Sequence, residues 1–185
     1  MVVAAQPNRG WPGWRLFLLI LLAMVTARTC AMTFNRIVDR QWDRLNPRTK
    51  NRHLATGKVS LFSATVLCVL SGLLFIGTSW FINSICFYLS PIALFIVCFY
   101  SWTKRFTDYT HVYLGVALGL APLGAWLAVQ GSIAIPPIIL SVAVVFWLIG
   151  FDIIYATQDY EFDRAHGLHS VVVGWGLRNA LQAAF

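Results

Sequence analysis

Soluble domains carry about 25% charged residues, so a chain of 185 residues that is 58% hydrophobic and 11% charged is not an ordinary cytosolic domain, nor a disordered one. Four cysteines, Cys30, Cys68, Cys86 and Cys98, stand in apolar surroundings with no CxxC pair and no zinc spacing, which excludes a disulfide scaffold and predicts free, packed thiols. The formal charge of +7 does not point to nucleic acid, because seven of the fourteen Lys and Arg lie between Arg36 and Lys58 and most others sit near the ends of apolar runs, as bilayer topology requires.

A tail, residues 1–13, precedes five apolar runs: Trp14 to Phe34, Val59 to Ser79, Ile85 to Trp102, Val112 to Gln130 and Pro136 to Tyr155. Each is long enough, as a helix rising about 1.5 Å per residue, to cross about 30 Å of hydrocarbon. A partial sixth begins near His169. The pattern predicts an all-α, polytopic transmembrane bundle in one domain, 14–185. The first run is too long for a cleaved signal and no small-residue cleavage site follows it. Connections 80–84 and 131–135 are short and uncharged, whereas 35–58, 103–111 and 158–168 are charged, and the two kinds alternate. Counting crossings puts the three charged connections on one side. Ten Lys and Arg there, against Arg9 and Arg15 before the first span, make that side cytoplasmic.

All seven acidic residues, Asp39, Asp43, Asp108, Asp152, Asp159, Glu161 and Asp163, lie at or near that side. Asn35, Asp39 and Asp43 recur every four residues, which on a helix stacks them about 6 Å apart on one face. Arg28 continues the face back into the membrane. The plain reading is a solvated helix end whose Asp residues pair with Arg36, Arg40 and Arg44. The same spacing returns at Asp159 and Asp163, after another span, with Asp152 and Tyr155 carrying polar groups inward along one side. Two opposed carboxylate pairs repel unless a cation sits between them, and Mg²⁺ suits such oxygen-rich sites, binding through a few carboxylates together with substrate phosphates. A substrate with a di- or triphosphate is therefore expected. Lys104 and Arg105 are either a phosphate dock or a positive-inside anchor. The same two readings hold for Arg52 in Asn51-Arg52-His53-Leu54, enclosed by Pro47 and Gly57. His53, His111, His166 and His169 show no metal-ligand pattern beyond HxxH at the last two, and are read as loop residues.

Asn35-x-x-x-Asp39-x-x-x-Asp43 and Asp159-x-x-x-Asp163 resemble the two acidic motifs of the UbiA superfamily of intramembrane prenyltransferases. Arg28 seven before the Asn, Asn51-Arg52-x-Leu54-x-x-Gly57 beside the family's NRPLxxG, and Lys104-Arg105-x-Thr107 beside its KRxT extend the resemblance. Asp152 and Tyr155-Ala156 are similar to the quinone-pathway branch, the 4-hydroxybenzoate polyprenyltransferases and the relatives that prenylate dihydroxynaphthoates. His53 departs from the family's usual proline. The family pattern has nine spans against five and a partial sixth here, so a truncated or fragmentary chain is expected.

The resemblance implies Mg²⁺ held by Asn35, Asp39, Asp43, Asp159 and Asp163, and a polyprenyl diphosphate bound by Arg28, Arg52, Lys104 and Arg105 with its tail among the helices and membrane lipid. It further implies a small aromatic acid acceptor oriented by Asp152 or Tyr155, and a bacterial cytoplasmic membrane as the location. Two other readings compete. A transporter is disfavoured because these carboxylates, Asp152 excepted, sit at span ends rather than at the bilayer midplane. A noncatalytic remnant that binds prenyl diphosphate or lipid is the other.

Overall fold

The computed structural model describes residues 11–185; most of the expected tail, with Arg9, lies outside the described residues. The regular structure of the described residues is all helical: α1 Trp14–Val38, α2 Arg40–Leu45, α3 Leu61–Ile82, α4 Ser84–Thr103, α5 Thr110–Gln130 and α6 Ile135–Ala156. A 3₁₀ turn at Thr157–Asp159 leads into α7 Tyr160–Ala165, α8 Val171–Trp175 and α9 Leu177–Ala184. Helices α1, α3, α4, α5 and α6 are each long and apolar enough to cross a membrane. Their packing is inverted relative to a water-soluble protein: Phe62, Phe95, Phe146 and Trp147 are exposed, whereas Thr26, Ser71, Ser79 and Ser90 are buried. Hydrocarbon solvates large apolar side chains as well as another helix does, so small and polar residues take the helix contacts.

Two compact units make up this chain. One comprises the described residues up to Cys98 together with Leu123–Ala134; the other comprises Phe99–Pro122 and Ile135–Phe185.

In the first unit α1 packs along α3. The buried stripe of α1 is Ala23, Thr26 and Cys30, and that of α3 includes Ala64, Cys68, Ser71 and Gly72. A Cβ on Gly72 would stand 3.4 Å from the Cys30 sulfur, and the Cys30 and Cys68 sulfurs are 3.8 Å apart. All four cysteines are free thiols, as their isolation in the sequence indicates. Mild oxidation should therefore join Cys30 to Cys68 within one chain. Mass spectrometry of the digested protein checks this, and a linkage to Cys86 instead would displace α1 from this register. Pro91 inside α4 cannot donate to the Phe87 carbonyl; the Ser90 hydroxyl donates to it instead, at 2.8 Å. Asn83 closes the turn into α4, its Oδ1 accepting from the Cys86 amide at 2.8 Å while its Nδ2 donates to the Leu127 carbonyl at 2.9 Å.

The second unit is cored by Ile153, Ala156, Val171, Val172 and Ala180. The segment expected to open a sixth span is folded here as α8 and α9, two short helices. Gly176 separates them at φ 79°, a left-handed backbone that favours glycine. Arg178, Asn179 and Gln182 make α9 too polar for a hydrocarbon face. Its end lies so close to α6 that a Cβ on Gly150 would be 2.6 Å from the Ala184 carbonyl.

Candidate functional site

The first acidic motif sits where α1 stops. Asp39 leaves the helix at φ −87° and ψ 3°, so the expected single helix from Asn35 to Asp43 is interrupted. The four-residue register survives the break, because the Asp39 amide donates to the Asn35 carbonyl at 2.9 Å and the Asp43 amide to the Asp39 carbonyl at 2.8 Å. Asn35 Nδ2 donates to Asp39 Oδ2 at 3.0 Å. Asp43 is buried, and its ion pair is with Arg52, at 2.6 Å, rather than with Arg40 or Arg44 as the plain helix-end reading expects. Arg44 turns instead to the Ala55 carbonyl, 3.0 Å away.

Arg52 arrives there because residues 46–59 are an ordered set of turns. Asn46 Oδ1 accepts from the Arg48 amide at 2.9 Å, the Thr49 hydroxyl donates to the Asp43 carbonyl at 3.3 Å, and Gly57 takes φ 79°. Buried Leu54 and Ala55 pin the loop. An open cavity of about 440 Å³ lies between this loop, α1 and α3, its wall carrying Arg36, Arg52 and His53 beside Met32, Val59 and Leu67. Arg28 is exposed along α1.

The second acidic motif is built alike. A helix ends, a single 3₁₀ turn delivers buried Asp159, and α7 carries buried Asp163 one turn on. Lys104 Nζ lies 2.9 Å from Asp163 Oδ2, and the Lys104 carbonyl accepts from the His169 amide at 2.8 Å. Asp108 completes the clamp on this loop, with His169 Nδ1 at 2.9 Å and Gly174 so close that a Cβ there would be 2.8 Å from the carboxylate. Arg105 and Tyr155 are exposed, the latter stacked on Phe151 at a ring separation of 6.4 Å. Lys104→Met should remove the Lys104 ammonium from buried Asp163. Because Lys104 is 38% exposed, the expected loss is about 1–3 kcal/mol, below that of a fully buried pair. Thermal unfolding in detergent measures it.

Reading His111 as a loop residue is corrected here. It lies in α5, 1% exposed, with Nδ1 2.6 Å from Asp152 Oδ2. Asp152 inside an apolar run was the available signal, since a carboxylate there requires a polar partner. His53, His166 and His169 do lie outside the helices.

Among the described residues, no three His, Cys, Asp or Glu side chains form a ready metal cluster. The donor set itself, one amide and carboxylates with hard oxygens on helix ends, fits the chemistry of a divalent cation such as Mg²⁺.

An α-helical integral membrane protein is thus defined, with buried carboxylates at the ends of two spans, each motif holding one against a cation from a neighbouring loop. The model of the UbiA prenyltransferase family matches residues 1–185, and the chain belongs to that family. It is 31% identical over 167 residues to the 4-hydroxybenzoate octaprenyltransferase of Paraburkholderia phytofirmans, covering 90% of this chain and 58% of that relative. The apo structure of a UbiA homolog from Aeropyrum pernix K1 matches with a TM-score of 0.87 at 34% identity, over 93% of this chain and 66% of that one. A UbiA homolog from Archaeoglobus fulgidus bound to DMAPP and Mg²⁺ matches with a TM-score of 0.76 at 27% identity, over 94% and 63%. The chain therefore spans about 58% of the length of the curated relative.

Proposed function

We propose that this chain carries the diphosphate-binding machinery of an aromatic prenyltransferase, which moves a polyprenyl group from an allylic diphosphate to 4-hydroxybenzoate or a dihydroxynaphthoate in quinone biosynthesis. One observation carries the reading: each acidic motif ends a span with a buried carboxylate against a loop cation, Asp43 with Arg52 and Asp163 with Lys104. In this reading those cations exchange a carboxylate for a phosphate oxygen. The name of the Paraburkholderia relative and the ligands of the Archaeoglobus structure support the same chemistry.

In this reading Asn35, Asp39, Asp43, Asp159 and Asp163 are the Mg²⁺ ligands, at the cytoplasmic face of a bacterial inner membrane. Bound there, Mg²⁺ supplies positive charge to the diphosphate oxygens. Arg52, Lys104, Arg105 and Arg28 bind the same group and stabilise the charge that builds on it as the allylic C–O bond breaks. The prenyl tail lies among the apolar helices, where little water competes with the aromatic ring for the electron-poor carbon. Asp152 or Tyr155 orients the ring.

The test is binding of geranyl diphosphate to the 185-residue chain in lipid nanodiscs, with Mg²⁺ and again with excess EDTA. Binding is expected in Mg²⁺ and not in EDTA; equal binding in both would sink the assignment of these residues as metal ligands.

A further inference from the structure

His111 and Asp152 place an imidazole and a carboxylate inside helices apolar enough to cross a membrane, which is unfavourable unless each finds a partner. They find one another because of a glycine face. His111, Gly115 and Gly119 follow every four residues on α5, and a Cβ on Gly115 would be 2.9 Å from both the Val145 carbonyl and Ile149 Cγ1 of α6. Backbone contact at that level brings Nδ1 to 2.6 Å from Asp152 Oδ2.

In the imidazole tautomer that donates Nδ1–H to a carboxylate, the other nitrogen, Nε2, is the acceptor. Nε2 is fully buried and has no hydrogen-bond partner among the described residues. A simple staple between two helices needs only one of the two nitrogens. The other is an oriented acceptor that the fold itself leaves unused.

Resting on the aromatic prenyltransferase reading, we propose that His111 Nε2 receives a hydrogen bond from the hydroxyl of the aromatic acceptor. Asp152 is then a positioning residue: its carboxylate is engaged by His111, and it acts by fixing that ring's tautomer and angle. The contact recognises a phenol and rejects its deoxy analogue, because only the hydroxyl supplies the missing donor. It also leaves more electron density on the phenol oxygen and its ortho carbon. No bond to hydrogen is broken by this contact. Because Nε2 is sealed, the acceptor reaches it as neighbouring side chains shift.

The experiment uses the 185-residue chain in nanodiscs with ¹⁵N-labelled histidine, the His111 signals being assigned by their loss in His111→Gln. 4-Hydroxybenzoate should move the Nε2 resonance toward its hydrogen-bonded position, and benzoate should not. Native protein should prefer 4-hydroxybenzoate over benzoate by about tenfold, as one hydrogen bond allows, and His111→Gln should lose that preference. An Nε2 signal that ignores both ligands, or answers both alike, overturns the assignment, as does a preference retained in His111→Gln. Mg²⁺-dependent geranyl diphosphate binding, measured on the same sample, tests the underlying reading separately: its absence refutes that reading whatever His111 does.

Discussion

Asp39→Asn and Asp159→Asn should each weaken Mg²⁺-dependent binding of geranyl diphosphate by about 100-fold, on the scale by which damaged metal sites lose affinity. Each change keeps the side chain's shape and removes one hard anionic oxygen, so the helix ends survive while the ligand set does not. Asp39 is suited to this test because Asn35 Nδ2 already holds one of its oxygens, at 3.0 Å, in a fixed orientation. Asp159 is suited because it is buried at the close of a single turn. Glu161→Gln is the control. Glu161 lies between Asp159 and Asp163 in sequence and carries the same charge, but it is exposed, so its loss should alter affinity by less than about twofold, as isolated surface changes do. Calorimetric titration at several Mg²⁺ concentrations makes the measurement. If all three variants behave alike, the effect is net charge and the ligand assignments fail.

Gly119→Leu should destabilise the second unit. A Cβ at Gly119 would already collide with Val145 Cγ2 and lie 3.2 Å from the Ser141 carbonyl. A leucine there has no rotamer that leaves α5 and α6 at their present separation. Overpacking of this kind costs about 1–3 kcal/mol and occasionally more, and it should also pull His111 from Asp152, leaving two polar groups unpaired in an apolar setting. Gly124→Leu, on the same helix, meets nothing within 4 Å at its Cβ and should be nearly neutral. Thermal unfolding of the two variants in one detergent gives the comparison. Equal stability would mean that α5 and α6 do not meet at backbone distance.

The spans and the acidic motifs were legible in the amino-acid order because both are local patterns. A run of apolar residues is read by hydrocarbon without reference to the rest of the chain, and a four-residue spacing stays on one helical face even where Asp39 interrupts the helix, since the amide-to-carbonyl pattern runs through the break. Gly176 was readable as a glycine, but only the folded chain turned it into a stop between α8 and α9. Pairing across elements was decided by tertiary structure alone. Asp43 chose Arg52, nine residues on, over the arginines of its own helix because the intervening turns carry Arg52 back to it. Asp152 chose His111, 41 residues earlier. No periodicity links those two positions. Their meeting depends on how closely two helices approach and how each is rotated about its axis, and those are set by the absence of side chains at Gly115 and Gly119.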